Sequence, residues 1–371
     1  MQLAFRLCYN NMDFDKLEGY FMKQVSAKQL ALSFTGMMLG AGFVSGQELW
    51  QFFACFGPIG LVGFLGMTFI FAYVNYASLR LVQTTGQEDM GRMFTPGDRP
   101  KLRLLVSSMQ CLLLFGVSII MIAGAATLIH QLIGLPIWLG GLLFTTLVVA
   151  VAMMGMHGLV ATFSLLVPVT TVCAVILGVV TLAKGNFQFA PPNGSVSALV
   201  PNWIIGFLTY AAYNLFGCVS VLVPLAKFIP EEKTVRRGLT GGSGLLIILA
   251  WSIIAALAVQ PSAGAGDLPM AVLAGQLHPV LEIGYGLLMG FGMFSACLAA
   301  MTASVNQIAI RWTKMAVHHK PFTTVLLYAA WALSLLGFGN LIGVVYPIFG
   351  YASVPFLICL VINWHKKKKT L

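Results

Sequence analysis

Apolar residues run along this chain in ten long stretches separated by short polar ones, at about 29–55, 57–82, 101–133, 136–154, 158–182, 201–228, 238–259, 279–312, 321–338 and 340–364. A helix needs roughly 20 apolar residues to cross a bilayer. The pattern therefore predicts an all-α integral membrane protein with ten transmembrane helices. A longer connection, Pro261 to His278, separates the seventh and eighth stretches. It is expected to fold as short helices capping one side. Gly57, Gly60, Gly63 and Gly66 recur at spacing three in the second stretch, the mark of a close-packing face.

Two stretches are interrupted, and each opens its half of the chain. The first carries Gly36, Gly40, Gly42 and Gly46; the second is interrupted around Tyr213, Asn214 and Gly217, with Pro224 beyond. Glycine weakens a helix interior, and unwound backbone survives at membrane depth only where it lines a cavity or is covered by protein. Paired interruptions in corresponding segments point to a transporter binding site. Helix breaks are accordingly expected near Gly40–Gly42 and Tyr213–Gly217. A break near Gly40–Gly42 would offer free N–H groups and a positive dipole end to a carboxylate, and free carbonyls to a cation. The competing reading is a packing face on an unbroken helix.

Composition agrees with a membrane protein: 58% of residues are hydrophobic and 9% charged, too few charges to cover a soluble protein of this size. The net charge of +10 suggests nucleic acid until its distribution is read. Placing the N-terminus inside puts 20 of the 21 basic residues on cytoplasmic segments, and only Lys184 falls outside. That is the positive-inside pattern, and one missed span would scramble it. Both termini are then cytoplasmic, the chain is a multi-pass protein of the cell membrane, and no nucleic-acid partner is implied. The expected organisation is a cytoplasmic segment 1–28, a five-helix repeat 29–182, an extracellular connection 183–200, a second five-helix repeat 201–364 and a basic tail 365–371. Five spans per half invert the second half relative to the first, a 5+5 inverted repeat. The seven cysteines are scattered without metal-ligand spacing and read as small buried hydrophobes.

Glu48 is the one carboxylate well inside a span. An ionisable residue there is a functional candidate, able to take up a proton during transport or to bind a substrate amine. Six residues beyond Gly42, it is expected between one and two turns above the break.

The run Gly40-Ala41-Gly42-Phe43-Val44-Ser45-Gly46-Gln47-Glu48 resembles the first-helix motif of the amino acid–polyamine–organocation superfamily, whose fold is that of the bacterial leucine transporter. More narrowly it resembles the YkvI-type bacterial membrane permeases. The resemblance implies ten helices with broken helices 1 and 6. It implies a substrate site at Gly40, Ala41, Gly42, Tyr210, Tyr213, Asn214 and Gly217. In sodium-coupled relatives one ion is held by carbonyls of the first helix and by a carbonyl and two hydroxyls of the eighth. The matching positions are Gly36, Leu39, Ala299 and Thr302. The second hydroxyl position is Ala303, and Ser304 lies one place further, about 100° around the helix.

The expectation is an ion-coupled secondary transporter, not an enzyme, moving a small amino-acid-like solute by alternating access. It needs no cofactor beyond a coupling ion, sodium at the cation site or a proton on Glu48. Its partners are the solute and the bilayer, and the sequence leaves oligomeric state and direction of transport open. No GxxxxGK[ST] motif marks a nucleotide-driven pump, and no HExxH or paired intramembrane carboxylates mark an enzyme. A channel or a non-transporting membrane protein of the same fold is the alternative.

Overall fold

The computed structural model describes residues 25–86, 90–95, 99–154, 159–185, 189, 194–229, 231–311 and 319–368. Regular structure among them is helical. The first predicted stretch forms three short helices, α1 (Ala27–Met38), α2 (Ala41–Val44) and α3 (Gln47–Phe52), then a 3-10 turn at Ala54–Phe56. The next is one helix, α4 (Ile59–Thr85), followed by a short α5 (Met90–Met93). The third to fifth stretches are α6 (Pro100–Ile133), α7 (Ile137–Met154) and α8 (Leu159–Lys184). The second half holds α9 (Trp203–Leu222) with a 3-10 segment Val223–Phe228, α10 (Glu232–Val259), α11 (Pro261–Gly264), α12 (Pro269–Leu277), α13 (Pro279–Arg311), α14 (His319–Ser334) and α15 (Phe338–Lys368). Among the described residues five helices, α4, α6, α10, α13 and α15, are long and apolar enough to cross a membrane. The predicted short helices after the seventh stretch are α11 and α12.

The helices pack in two groups. In one, α10 lies on α1 and α4, and α9 lies on α4 and α15. In the other, α13 lies along α6, with α7 and α14 against α6. The α1–α10 seam is close because α10 offers glycine. A Cβ on Gly238 would press on Leu30, and one on Gly242 would press on Phe34 and the Ala31 carbonyl. Thr35 Oγ1 also donates across the seam to the Gly242 carbonyl at 3.1 Å. Lipid is as apolar as leucine, so such close contacts and hydrogen bonds, rather than hydrophobic burial, hold helices together in a bilayer. Large apolar side chains such as Phe69 (69% exposed), Ile133 and Val280 point outward, as lipid-facing surfaces do.

Two expectations need correction. The second predicted break is not at Tyr213–Gly217: α9 is continuous from Trp203 to Leu222 and tightens to 3-10 geometry only at Val223–Phe228. One glycine costs a helix about 1 kcal/mol, and the Asn214 amide donates to the Tyr210 carbonyl at 3.0 Å, adding to the same helix. The change of geometry comes where Pro224 removes an N–H. The spaced glycines of 57–82 are also only partly a packing face. Gly60 sits against the Phe53 carbonyl and Gly63 against Phe53 and Trp203, whereas Gly57 makes a left-handed turn and Gly66 has nothing within 4 Å.

Candidate functional site

The break in the first stretch is written in its backbone. A capping box starts α1: Ser26 Oγ accepts from the Gln29 N–H, and Gln29 Oε1 accepts from the Ser26 N–H. The helix ends at Met38, and Leu39 (φ −80°, ψ 50°) is the centre of an inverse γ-turn. There the Gly40 N–H donates to the Met38 carbonyl at 2.9 Å, and the Leu39 N–H donates to Gly36 at 3.1 Å. One turn of helix follows, α2. A second bend comes at Gly46, whose φ of 83° only glycine adopts freely. The bend is pinned from outside. Tyr285 Oη donates to the Val44 carbonyl and the Met270 N–H to the Ser45 carbonyl, both at 2.8 Å.

This double bend turns α3 so that Glu48, in its first turn, folds back over α2. The expected position one to two turns beyond the break is thereby replaced by one beside it. A Cβ on Gly42 would land on the Glu48 carboxylate, so glycine there is what admits the carboxyl group. From α9, Tyr210 and Tyr213 stand three residues apart on one face. Each hydroxyl donates to Glu48 Oε2 at 2.9 Å. Tyr346 of α15 stacks on Tyr213 (4.3 Å between ring centres, 11° between planes), so a third phenol packs on the pair. Phe52 and Phe53 close over Tyr210 at 5.2 and 5.1 Å. Glu48 is 4% exposed and is the only charged side chain in the buried interior among the described residues. No ion pair to it is seen among them. A buried carboxylate without a cation is costly, so this arrangement is suited to accepting a proton or a cationic group.

The structure thus brings Gly42, Glu48, Tyr210 and Tyr213 together, with Gly40 at the bend. Ala41 begins α2, and its side chain lies outside the described set. Asn214 bonds its own helix, and a Cβ on Gly217 would stand 3.9 Å from Leu113 of α6. Tyr346 is the residue the sequence reading missed. It is one tyrosine inside the tenth apolar stretch, next to Pro347, and a phenol buried at depth was the only available signal.

The predicted cation set is less coherent. The Gly36 carbonyl already accepts from Leu39. Thr302 Oγ1 donates to the Leu298 carbonyl at 2.7 Å, and Ala299 stands one turn before it on α13. Ser304 is turned elsewhere. Helix α13 is continuous there, and Ser304 Oγ faces α6, donating to the Cys111 carbonyl at 3.3 Å and lying 3.1 Å from Cys111 Sγ. Among the described residues no cluster of three His, Cys, Asp or Glu side chains could hold a metal ion.

These helices form a membrane protein of the leucine-transporter fold. An inward-facing structure of Mhp1 shares that fold with a TM-score of 0.62 at 14% identity, over 92% of this chain and 77% of that one. By sequence the chain is similar to the uncharacterized membrane protein YkvI of Bacillus subtilis (strain 168), 28% identical over 356 residues, 93% of this chain and 98% of the relative. It is also similar to the uncharacterized protein YyaD of the same organism, 25% identical over 341 residues, 88% of this chain and 94% of that one. No family model matches.

Proposed function

We propose that this chain is a secondary active transporter of the cell membrane that moves a small amino-acid-like solute by alternating access. The observation that carries the reading is the Glu48 carboxylate, buried at a helix break and held by Tyr210 and Tyr213. Glu48 serves one of two roles there. It takes the ammonium end of the solute, or it carries the coupling proton. The bent backbone at Gly40–Gly42 offers the solute polar main-chain groups, and the tyrosine rings pack on its apolar part.

Three features support alternating access in particular. The broken first stretch stands between the two groups, its α2 against α6 and α13 and its α3 against α9 and α10, elements able to rock against each other. The bends at Leu39 and Gly46 divide the first stretch into pieces that can tilt separately. The likeness to Mhp1 extends over most of the chain. A proton on Glu48 is favoured over sodium as the coupling ion, because the hydroxyl missing at Ala303 is not replaced by Ser304.

The reading is tested by uptake of labelled amino acids and small amines into proteoliposomes under imposed proton or sodium gradients. Gradient-driven accumulation of one of them, lost in Glu48→Ala, is expected. Passive, non-saturable flux insensitive to Glu48 would contradict it.

A further inference from the structure

Helices α4, α10 and α15 meet at one end of the bundle, and basic side chains gather there. Glu232, in the first turn of α10, is the hub. Arg80 Nη2 of α4 pairs with Glu232 Oε2 at 3.0 Å, and the Tyr76 hydroxyl donates to Glu232 Oε1 at 2.8 Å. Arg236, one turn along α10, binds the same carboxylate through Nε at 2.8 Å and Nη2 at 2.6 Å. Its guanidinium lies over the Tyr76 ring, 5.6 Å from the ring centre, and its side chain is 68% exposed. One carboxylate thus serves two guanidiniums, and a positive charge is left over. Lys233 and Arg237 of α10 and Lys366 and Lys368 of α15 are exposed and add to it, against one further carboxylate, Glu231, just before α10.

The cluster stands at the end of a groove that faces lipid. Tyr73 Oη of α4 and His365 Nε2 of α15 lie 3.3 Å apart, and Tyr76 packs edge-on against Trp364, with 6.1 Å between ring centres. These contacts set α4 and α15 side by side. Phe69 lies four residues before Tyr73; Ile362 and Ile358 lie three and seven before His365. Those spacings keep each row on one helix face, and all three apolar side chains are exposed. Lys366 continues the Ile358–Ile362 row by another four residues, making a row about 12 Å long that passes from apolar to charged. In the next turn Lys368 follows Trp364, and Arg80 follows Tyr76, by the same step. Tyrosine and tryptophan at this level are the girdle of a membrane–water boundary.

We propose that the corner of α4, α10 and α15 binds one anionic phospholipid. Its phosphate meets Arg236, Lys366 and Lys368, and an acyl chain lies between Phe69 and the Ile358–Ile362 row. A guanidinium matches the geometry of a phosphate, and lysine supplies point charge. Glu232 and Tyr76 hold the Arg236 guanidinium in place before the lipid arrives. A zwitterionic lipid offers the same chains without net negative charge. Inorganic phosphate offers the charge without a chain. Only an anionic lipid answers both the basic corner and the apolar groove.

The test is native mass spectrometry of the full chain released from nanodiscs that contain phosphatidylglycerol and phosphatidylcholine in equal amounts. One phosphatidylglycerol per chain is expected to stay bound in preference to phosphatidylcholine. A basic residue near a membrane surface is worth about fivefold in affinity for anionic lipid. Arg236→Gln and Lys366→Gln should therefore each lower retained phosphatidylglycerol by about that factor; Lys366 is exposed near the end of α15, so its loss should leave the fold intact. Lys184→Gln is the control, because Lys184 stands beside the opposite end of α10, next to Gly185, where a Cβ would meet Val259. Retention there should be unchanged. Equal loss in Lys184→Gln would assign the effect to net charge and overturn the proposal. Equal retention of phosphatidylcholine, full displacement by inorganic phosphate, or unchanged retention in both Arg236→Gln and Lys366→Gln would overturn it too.

Discussion

Gly42 and Glu48 are the pair on which the site turns. A side chain at position 42 would occupy the place of the Glu48 carboxylate, so Gly42→Val is expected to abolish solute binding while leaving membrane insertion intact; wild-type affinity in that variant would remove Gly42 from the site. Tyr210→Phe and Tyr213→Phe each delete one hydrogen bond to a carboxylate. Such bonds contribute about 1.5–3 kcal/mol, so apparent solute affinity should fall by roughly tenfold or more in each, measured by uptake kinetics. Equal affinity in both variants would show that the tyrosines do not organise Glu48. Much of this was legible in the sequence, because a lone intramembrane carboxylate is conspicuous and Tyr210 and Tyr213 share a helix face. What could not be read was the direction in which Glu48 points. That depends on the left-handed bend at Gly46 and on Tyr285 and Met270, which hold the bend from helices more than 200 positions away. Tyr346 was hidden for the same reason.

At the scale of elements, the four glycines of the first stretch predicted a break and the break is there, whereas Tyr213, Asn214 and Gly217 of the second predicted one that is not. The difference is cumulative cost. One Gly217 is tolerated inside α9, while the γ-turn at Leu39 and the bend at Gly46 are reinforced by tertiary contacts. The Gly46 bend has a measurable consequence. Gly46→Ala should lose about 1–2 kcal/mol to left-handed strain and more to the Met270 side chain, 2.9 Å from the new Cβ. Gly134→Ala has similar φ (71°) but open space around it, so it should suffer the strain alone. Melting temperatures in detergent should rank wild type above Gly134→Ala and Gly134→Ala above Gly46→Ala. Equal losses in the two variants would mean that Met270 does not clamp the bend.

For the whole molecule, the ten apolar stretches were visible because hydropathy is a local signal, while the pairing of α1 with α10 and of α6 with α13 is not local. The proposed orientation and 5+5 repeat carry their own test. In a cysteine-free background, a membrane-impermeant maleimide should label Ser262→Cys from outside intact cells and Lys366→Cys only after permeabilisation. The reverse pattern would invert the topology. The central claim, that Glu48 is the working group of a transporter, is tested most directly by solute uptake into proteoliposomes under separate pH and sodium gradients, comparing wild type with Glu48→Gln. The account predicts uptake that follows the pH gradient, ignores sodium, and loses its pH dependence in Glu48→Gln. Uptake that requires sodium, weakens in Thr302→Ala and is untouched by Glu48→Gln would contradict it.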